Sequence, residues 1–277
     1  QEPLAVLFEY AAHPVVTQNA ECISADYPAY AAKRIRAELG DAVVPLFAQG
    51  CGGSANAWPA GFDCADEWDV QANKAGAKLG DAVLDAVATA EPLAPNTFTV
   101  RHKDIELPCQ LPSPAQLAAT RARLAEQDPP WHTRESWERS LTVVEGMMDR
   151  GESPVWPAHV DAVMLGDAWC LIAMPGEVYA EYELWIERQV PHPHKMVLAY
   201  TNGPRGHYYI PPDDALTLGI TEPLVAERGS NWSASWPAFF SGVPIDGAMF
   251  PLAPGTERII QNAITELTGE PPAPVDE

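Results

Sequence analysis

The chain has 277 residues, enough for one large domain or two small ones, and 47% of them are hydrophobic, which supplies a substantial core and excludes wholesale disorder. Acidic residues outnumber basic ones 38 to 17 for a net charge of −21. Lys and Arg form no cluster, so nucleic acid and anionic membrane surfaces have no basic patch to engage.

No apolar run reaches the ~20 residues that span a bilayer, and no signal-peptide pattern is present. The start at Gln1 rather than Met predicts a mature product, a fragment or a processed subunit, in a secreted or periplasmic setting. Five cysteines, at 22, 51, 64, 109 and 170, leave at least one thiol unpaired within the chain. None forms a C-x-x-C pair, which argues against a thiolate zinc knuckle. Cys51 and Cys64 flank a loop, and a disulfide between them is open to both.

In chain order, Leu4-Ala5-Val6-Leu7-Phe8 is a continuous apolar run that predicts a buried strand. Residues 27–39 have helical character, with Pro28 in the first turn and Gly40 after the last. "AVVPLFAQG" (42–50) predicts a second buried strand, closed by the loop "GCGGSANAWPAG". Ala75, Leu79, Val83 and Val87 stand at helical spacing within 69–89. Residues 97–107 alternate, as in a more exposed strand. A polar helical stretch over 114–150 is broken by "DPPWH", and 159–174 predicts a hairpin turning at Gly166-Asp167. "PGEVYAEYELWIERQV" is a loop leading into a helix, and 195–203 is a strand ending in a turn. Beyond 210 the chain is rich in Pro, Gly and Trp and reads as loop, until an amphipathic helix over 256–268. Strands and helices alternate, so the expected class is α/β or α+β, a mixed and largely buried sheet with flanking helices. The expectation is one domain over 1–268 and a disordered tail over 269–277, "GEPPAPVDE" included.

Four stretches share one form, in which an apolar strand ends and a polar group follows on small or special residues. They are "AAHPVVTQN", "FAQGCGGSAN", "AMPGEVYAE" and "YTNGPRGHYYIPP". Ligands gather outside the ends of strands in open sheets, so the loops after four strands are expected to converge on one site. His13, Glu177 and Tyr209 are the candidate nitrogen and oxygen donors for a metal such as zinc. Each also has a plainer reading: a structural histidine, a charge in the first turn of a helix, a packing aromatic. The glycines of "GCGGSAN" permit close backbone approach or an anion cradle. The loop lacks the Lys and Ser/Thr of a P-loop, and Ser54 does not sit in a G-x-S-x-G elbow.

"YAAHPVVTQN", then "ISADYPAYA", "LFAQGCGGSAN", "MPGEVY" and "GHYYIPP" resemble, in that order, the neutral (non-lysosomal) ceramidases and their bacterial relatives. The resemblance covers most of residues 4–215 at the level of motifs. It implies a zinc ion held by two histidines, a glutamate and a tyrosine. His13 matches the second histidine, Glu177 the glutamate and Tyr209 the tyrosine, with Tyr208 one register away. The family's first histidine lies in a THTHSGP-like motif well upstream. The resemblance therefore implies that this chain starts partway through a catalytic domain, and that a second chain or upstream segment supplies the N-terminal half and another histidine. Two departures from the pattern stand out, one in a motif and one at a tyrosine. Aligned on Gly53, Asn56 stands where a GDVSP-like motif has serine and Ser54 where it has aspartate, and the family's second tyrosine falls near Thr221.

The expected activity is zinc-assisted hydrolysis of an amide, on an N-acyl or ceramide-like substrate, in which metal-activated water attacks the carbonyl. Asn56, or the N–H groups of the 50–55 loop, would steady the oxyanion, and His207 or Asp26 would assist proton transfer. Asp26 could equally cap the following helix, and His207 could be a solvated turn residue. Trp58, Trp232, Trp236, Phe239 and Phe240 would line an acyl groove or simply pack the loops. Competing readings are a non-catalytic subunit of a larger assembly, a hydrolase with Ser54 as nucleophile, and a glycan-binding module suggested by the nine tryptophans.

Overall fold

The computed structural model describes residues 3–18, 20, 23–57, 67–94, 96–126, 131–202, 208–217, 243–245 and 248–269. In chain order its elements are β1 (Ala5–Tyr10), α1 (Asp26–Leu39), β2 (Val44–Gln49), α2 (Trp68–Ala88), β3 (Phe98–Pro108), α3 (Pro114–Glu126), α4 (Trp131–Arg150), β4 (Val155–Leu165), β5 (Trp169–Ala173), β6 (Glu177–Val178), α5 (Ala180–Gln189), β7 (His194–Leu198), β8 (Tyr209–Ile210), α6 (Asp213–Thr217), β9 (Val243–Ile245), β10 (Ala248–Phe250) and α7 (Thr256–Thr268). This is an α/β arrangement of mixed sheets with flanking helices.

Two parallel units organise it. β1 and β2 pair in parallel, with Leu7 opposite Leu46, and α1 lies between them in sequence. β5 and β7 pair in parallel across α5 in the same way. Parallel neighbours cannot be joined by a tight turn, so each pair requires its crossover. The sheet containing β5 and β7 runs β3-β4-β5-β7, with β3, β4 and β5 antiparallel to one another. The β4–β5 hairpin turns at Gly166, which takes φ +54°. No helix of the described residues is long and apolar enough to cross a membrane.

The main core lies under the four-stranded sheet. Leu107, Val160, Ile172 and Val197 from the strands meet Leu141 and Val144 of α4, Tyr182 and Ile186 of α5, and Ile260 and Ile264 of α7. α7 is anchored at its start by Asp213, whose carboxylate accepts from the N–H groups of Gly255 (2.9 Å) and Glu257 (3.1 Å). A second core forms where Val6 and Phe8 pack on Ala31 and Ile35 of α1.

Some expectations need correction. The apolar runs at β1 and β2 are not buried on both faces: Leu7, Val44 and Leu46 are each nearly half exposed, and Leu4 is 83% exposed. A continuous apolar run specifies a strand but not what covers it. The region after 210 is not all loop, since α6, β9 and β10 lie there. Elements of three to five residues among prolines and glycines are too short to show a period. Residues 127–130 of the break between α3 and α4, and 270–277 of the tail, lie outside the described residues.

α1 and α2 cross so closely that a Cβ on Gly76 would stand 2.4 Å from the carbonyl oxygen of Tyr27. Gly76→Ala is therefore expected to lower stability by about 1–3 kcal/mol in urea denaturation, because backbone rather than a flexible side chain must give way.

Glu9 shares the outer face of β1 with Leu7. Its Oε1 is buried with no hydrogen-bond partner among the described residues. Burial first, then the charges of Glu183 and Glu187, push its carboxyl from the ordinary 4.5 to about 8. The folded chain thus keeps a proton that the unfolded chain releases, and stability falls as pH rises from about 4.5 to about 8. Glu9→Gln is expected to match the parent near pH 4.5 and to exceed it by about 1–2 kcal/mol at pH 8.5, the gain being limited by partial exposure, as read by urea denaturation at the two pH values.

Candidate functional site

The exits of β1, β2, β5 and β7 meet. Ala199, just past β7, donates its N–H to the carbonyl of Gln49 at the end of β2 (3.0 Å). Met174, just past β5, donates to Leu198 (2.8 Å), and Tyr200 donates to Gly176 (2.9 Å). The segment after β1 joins through His13, whose N–H donates to Ala55 (2.8 Å) and which bridges in parallel to Asn56. The segment after β5 joins the loop after β2 through Gly53 N–H to Val178 (2.8 Å). β6 then pairs with β8, setting Glu177 opposite Tyr209.

These close approaches require glycine at two points. A Cβ on Gly53 would stand 2.3 Å from the carbonyl oxygen of Glu177, and one on Gly176, at φ +73°, 2.6 Å from that of Tyr208.

The side chains at this junction form a cluster. His13 Nε2 lies 3.4 Å from Glu177 Oε2 and 3.4 Å from the Tyr209 hydroxyl. His13 Nδ1 lies 3.0 Å from the Tyr200 hydroxyl. The rings of Tyr200 and Tyr209 both meet His13 nearly edge-on, and Tyr179 packs edge-on against Tyr209. Both tyrosine hydroxyls also hydrogen-bond the Glu177 carboxylate. Burial, reinforced by the Glu177 charge, holds both phenols protonated well above their ordinary range. Burial pulls the His13 imidazole below its ordinary value against the opposing pull of Glu177, which favours the neutral ring.

Three of the expected donors are thus brought together, and the register is decided. Tyr209 faces His13, whereas Tyr208 packs edge-on against Trp156 and offers its carbonyl to Glu177 N–H (2.7 Å). Asn56 lies alongside His13 and is exposed. Ser54 is placed otherwise: its hydroxyl accepts from Ala180 N–H at the start of α5 (3.1 Å) and donates to Glu181 (3.4 Å), the contacts of a helix-start serine. Asp26 is buried, and its carboxylate accepts from the N–H and hydroxyl of Thr17 (2.7 and 2.8 Å) and from Tyr27 N–H (2.7 Å). It thereby fixes the Thr17 turn beyond His13 instead of presenting a free oxygen.

The loop after β2 is not an anion cradle. The N–H groups of Gly50, Gly52, Gly53 and Ala55 go to main-chain carbonyls, and that of Cys51 to Glu183. Cys51 is a free, buried thiol, pushed well above its ordinary value by burial. Cys64, His207, Trp58, Thr221, Trp232, Trp236, Phe239 and Phe240 lie outside the described residues. Sequence reasoning missed Tyr200 and Tyr179. The turn signal Asn202-Gly203 after β7 marked the place where a side chain can leave the strand direction.

The donor set suits zinc, which binds nitrogen and oxygen ligands at about 2.0–2.2 Å in tetrahedral geometry. Ligands at that radius stand about 3.3–3.5 Å apart, and both separations measured from His13 Nε2 are 3.4 Å. Among the described residues no group of three His, Cys, Asp or Glu is assembled for a metal; the third donor here is a phenol. No protein-family model matches the chain, and no curated protein matches it significantly.

Gly53→Ala is expected to displace Glu177 from Tyr209, since the added methyl meets Glu177 backbone on one side and the Tyr179 ring (2.9 Å) on the other. A stability loss of about 1–3 kcal/mol in denaturation, with a change in Tyr179 and Tyr209 ring signals by NMR, would show it.

Proposed function

We propose that the chain carries the ligand-bearing part of a zinc-dependent hydrolase that cleaves a linear amide, N-acyl or ceramide-like, with an upstream segment or partner chain adding a further histidine. The observation that carries this reading is the meeting of His13 Nε2 with Glu177 Oε2 and with the Tyr209 hydroxyl, both at the spacing of a tetrahedral edge. The ordered motif resemblance to the neutral ceramidases supplies the substrate class and the expectation of another ligand.

Zinc in such a site supplies Lewis acidity and a water with a pKa near 7. The chain's own residues do the rest. His13, Glu177 and Tyr209 hold the ion, each on a separate strand exit, so the three donors are spaced by backbone ladders rather than by flexible loops. Glu177 contributes the negative charge that offsets the cation. In this reading Asn56, exposed and paired with His13 through a backbone bridge, would steady the oxyanion, a task for which the engaged N–H groups at 50–53 and 55 are not free. Ser54, engaged at the start of α5, is not the nucleophile in this reading.

The parent is expected to bind one zinc ion per chain by competition with a chromophoric chelator. His13→Ala and Glu177→Gln should each weaken binding at least about 100-fold, beyond the 10–100-fold typical of outer-shell changes. Ser54→Ala should bind zinc as the parent does. A parent chain that takes up no zinc, alone or with its partner, sinks the reading.

A further inference from the structure

We propose that Tyr200 is a positioning residue that selects the tautomer of His13, holding the proton on Nδ1 so that Nε2 presents its lone pair to the space shared with Glu177 and Tyr209. The proposal rests on the zinc reading for its purpose but not for its geometry.

Which ring nitrogen of a neutral histidine carries the proton is set by the hydrogen bond the other makes. The Tyr200 hydroxyl lies 3.0 Å from Nδ1, the closest polar contact of the ring in the cluster. A phenol has one proton to give. Tyr200 gives its proton to the Glu177 carboxylate, and its oxygen is left to accept from Nδ1–H. Tyr209 likewise donates to Glu177, so its oxygen faces Nε2 as an acceptor. The outcome is a bare Nε2 lone pair facing the Tyr209 oxygen and Glu177 Oε2, with the Tyr209 proton directed to Glu177 and none on the Nε2 side of the ring. The Nε2 lone pair then has no proton to accept and faces two oxygens, an arrangement that a bound cation would relieve.

The backbone of Tyr200 supports the assignment. It adopts φ +57°, a conformation unusual for a bulky aromatic. Neighbouring main-chain bonds hold it there: Ala199 to Gln49 (3.0 Å), Tyr200 to Gly176 (2.9 Å) and Thr201 to Met174 (3.0 Å). An ordinary strand exit would carry the ring along the strand direction. Strain kept at one residue by three surrounding bonds is the pattern of a side chain aimed at a site.

Tyr200→Phe keeps the ring and its edge-on contact with His13 and removes only the hydroxyl. Two measurements test the idea on the full chain. In the metal-free protein labelled with ¹⁵N at histidine, long-range ¹H–¹⁵N spectra near pH 7.5 should show His13 protonated at Nδ1, its signals assigned by their loss in His13→Gln. Tyr200→Phe should shift it toward the Nε2–H form. In metal titrations with Zn²⁺ and Co²⁺, Tyr200→Phe should bind about 10–100-fold more weakly than the parent while keeping its thermal midpoint within a few degrees. A parent His13 protonated at Nε2, or a folded Tyr200→Phe protein with unchanged tautomer, overturns the proposal. If the parent binds neither metal, the zinc reading falls, and the tautomer measurement still decides the role of Tyr200.

Discussion

One main-chain hydrogen bond, from Ala199 N–H to the carbonyl of Gln49, ties the exit of β7 to the exit of β2, and the candidate site depends on that tie. Each parallel unit ends its strands on one side, as parallel pairing dictates. Together with the bonds of Gly53 to Val178, Cys51 to Glu183 and Ser54 to the start of α5, the Ala199–Gln49 bond joins the His13 and Glu177 segments, which would otherwise be fixed only within their own halves. With it, the loop after β2 becomes a shared wall. It accepts His13 N–H at Ala55 on one side and donates from Gly53 to Val178 on the other. The spacing of the donors is therefore a property of backbone ladders, and the side chains need only ordinary reach.

Close approach of main chains leaves no room for Cβ atoms, which explains where glycine appears. Gly53 and Gly176 each face a carbonyl oxygen at a distance no methyl group tolerates. Gly76 plays the same part between α1 and α2, far from the junction, so close backbone contact alone does not identify a functional site. What separates the junction is the coincidence of close approach with converging polar side chains and with non-glycine residues at positive φ. Asp26, Tyr200 and Asn202 are the described non-glycine residues in that region of backbone space, and all three lie on segments leading to or from His13, Glu177 and Tyr209.

Much of this was legible in the sequence because the signals were local. The period at Ala75, Leu79, Val83 and Val87 predicted α2, and the run 256–268 predicted α7 with its bounds. The shared form of four strand exits predicted their convergence, since strand polarity decides where chain ends collect. The exposed outer face of β1 and β2 was not legible, because hydrophobicity along a strand does not tell what stands opposite it. The expectation that the loop after β2 cradles an anion failed for a related reason. Glycine content announces permissive backbone, but whether the N–H groups are free depends on the path of the loop and on distant partners: Gly52 and Ala55 bond within the loop, Gly50 to Tyr10 and Gly53 to Val178. Tyr200 was hidden because its importance lies in an unusual φ, which no composition or period records.

The shielded acids of the chain stand in a different situation from the acids of its surface. A net charge of −21 spread over a solvated surface costs little beyond mutual repulsion screened by salt. A single buried carboxylate costs far more. Glu9 meets that cost by holding a proton. Glu177, which is also substantially shielded, has different company: two phenols donate to it and the His13 imidazole stands 3.4 Å away. The surroundings of the two acids differ: burial and the like charges of Glu183 and Glu187 around Glu9, hydroxyl donors around Glu177. An acid surrounded by acids has no donor to meet it, whereas Glu177 is met by two hydroxyl protons, and its neighbourhood is correspondingly ordered around it.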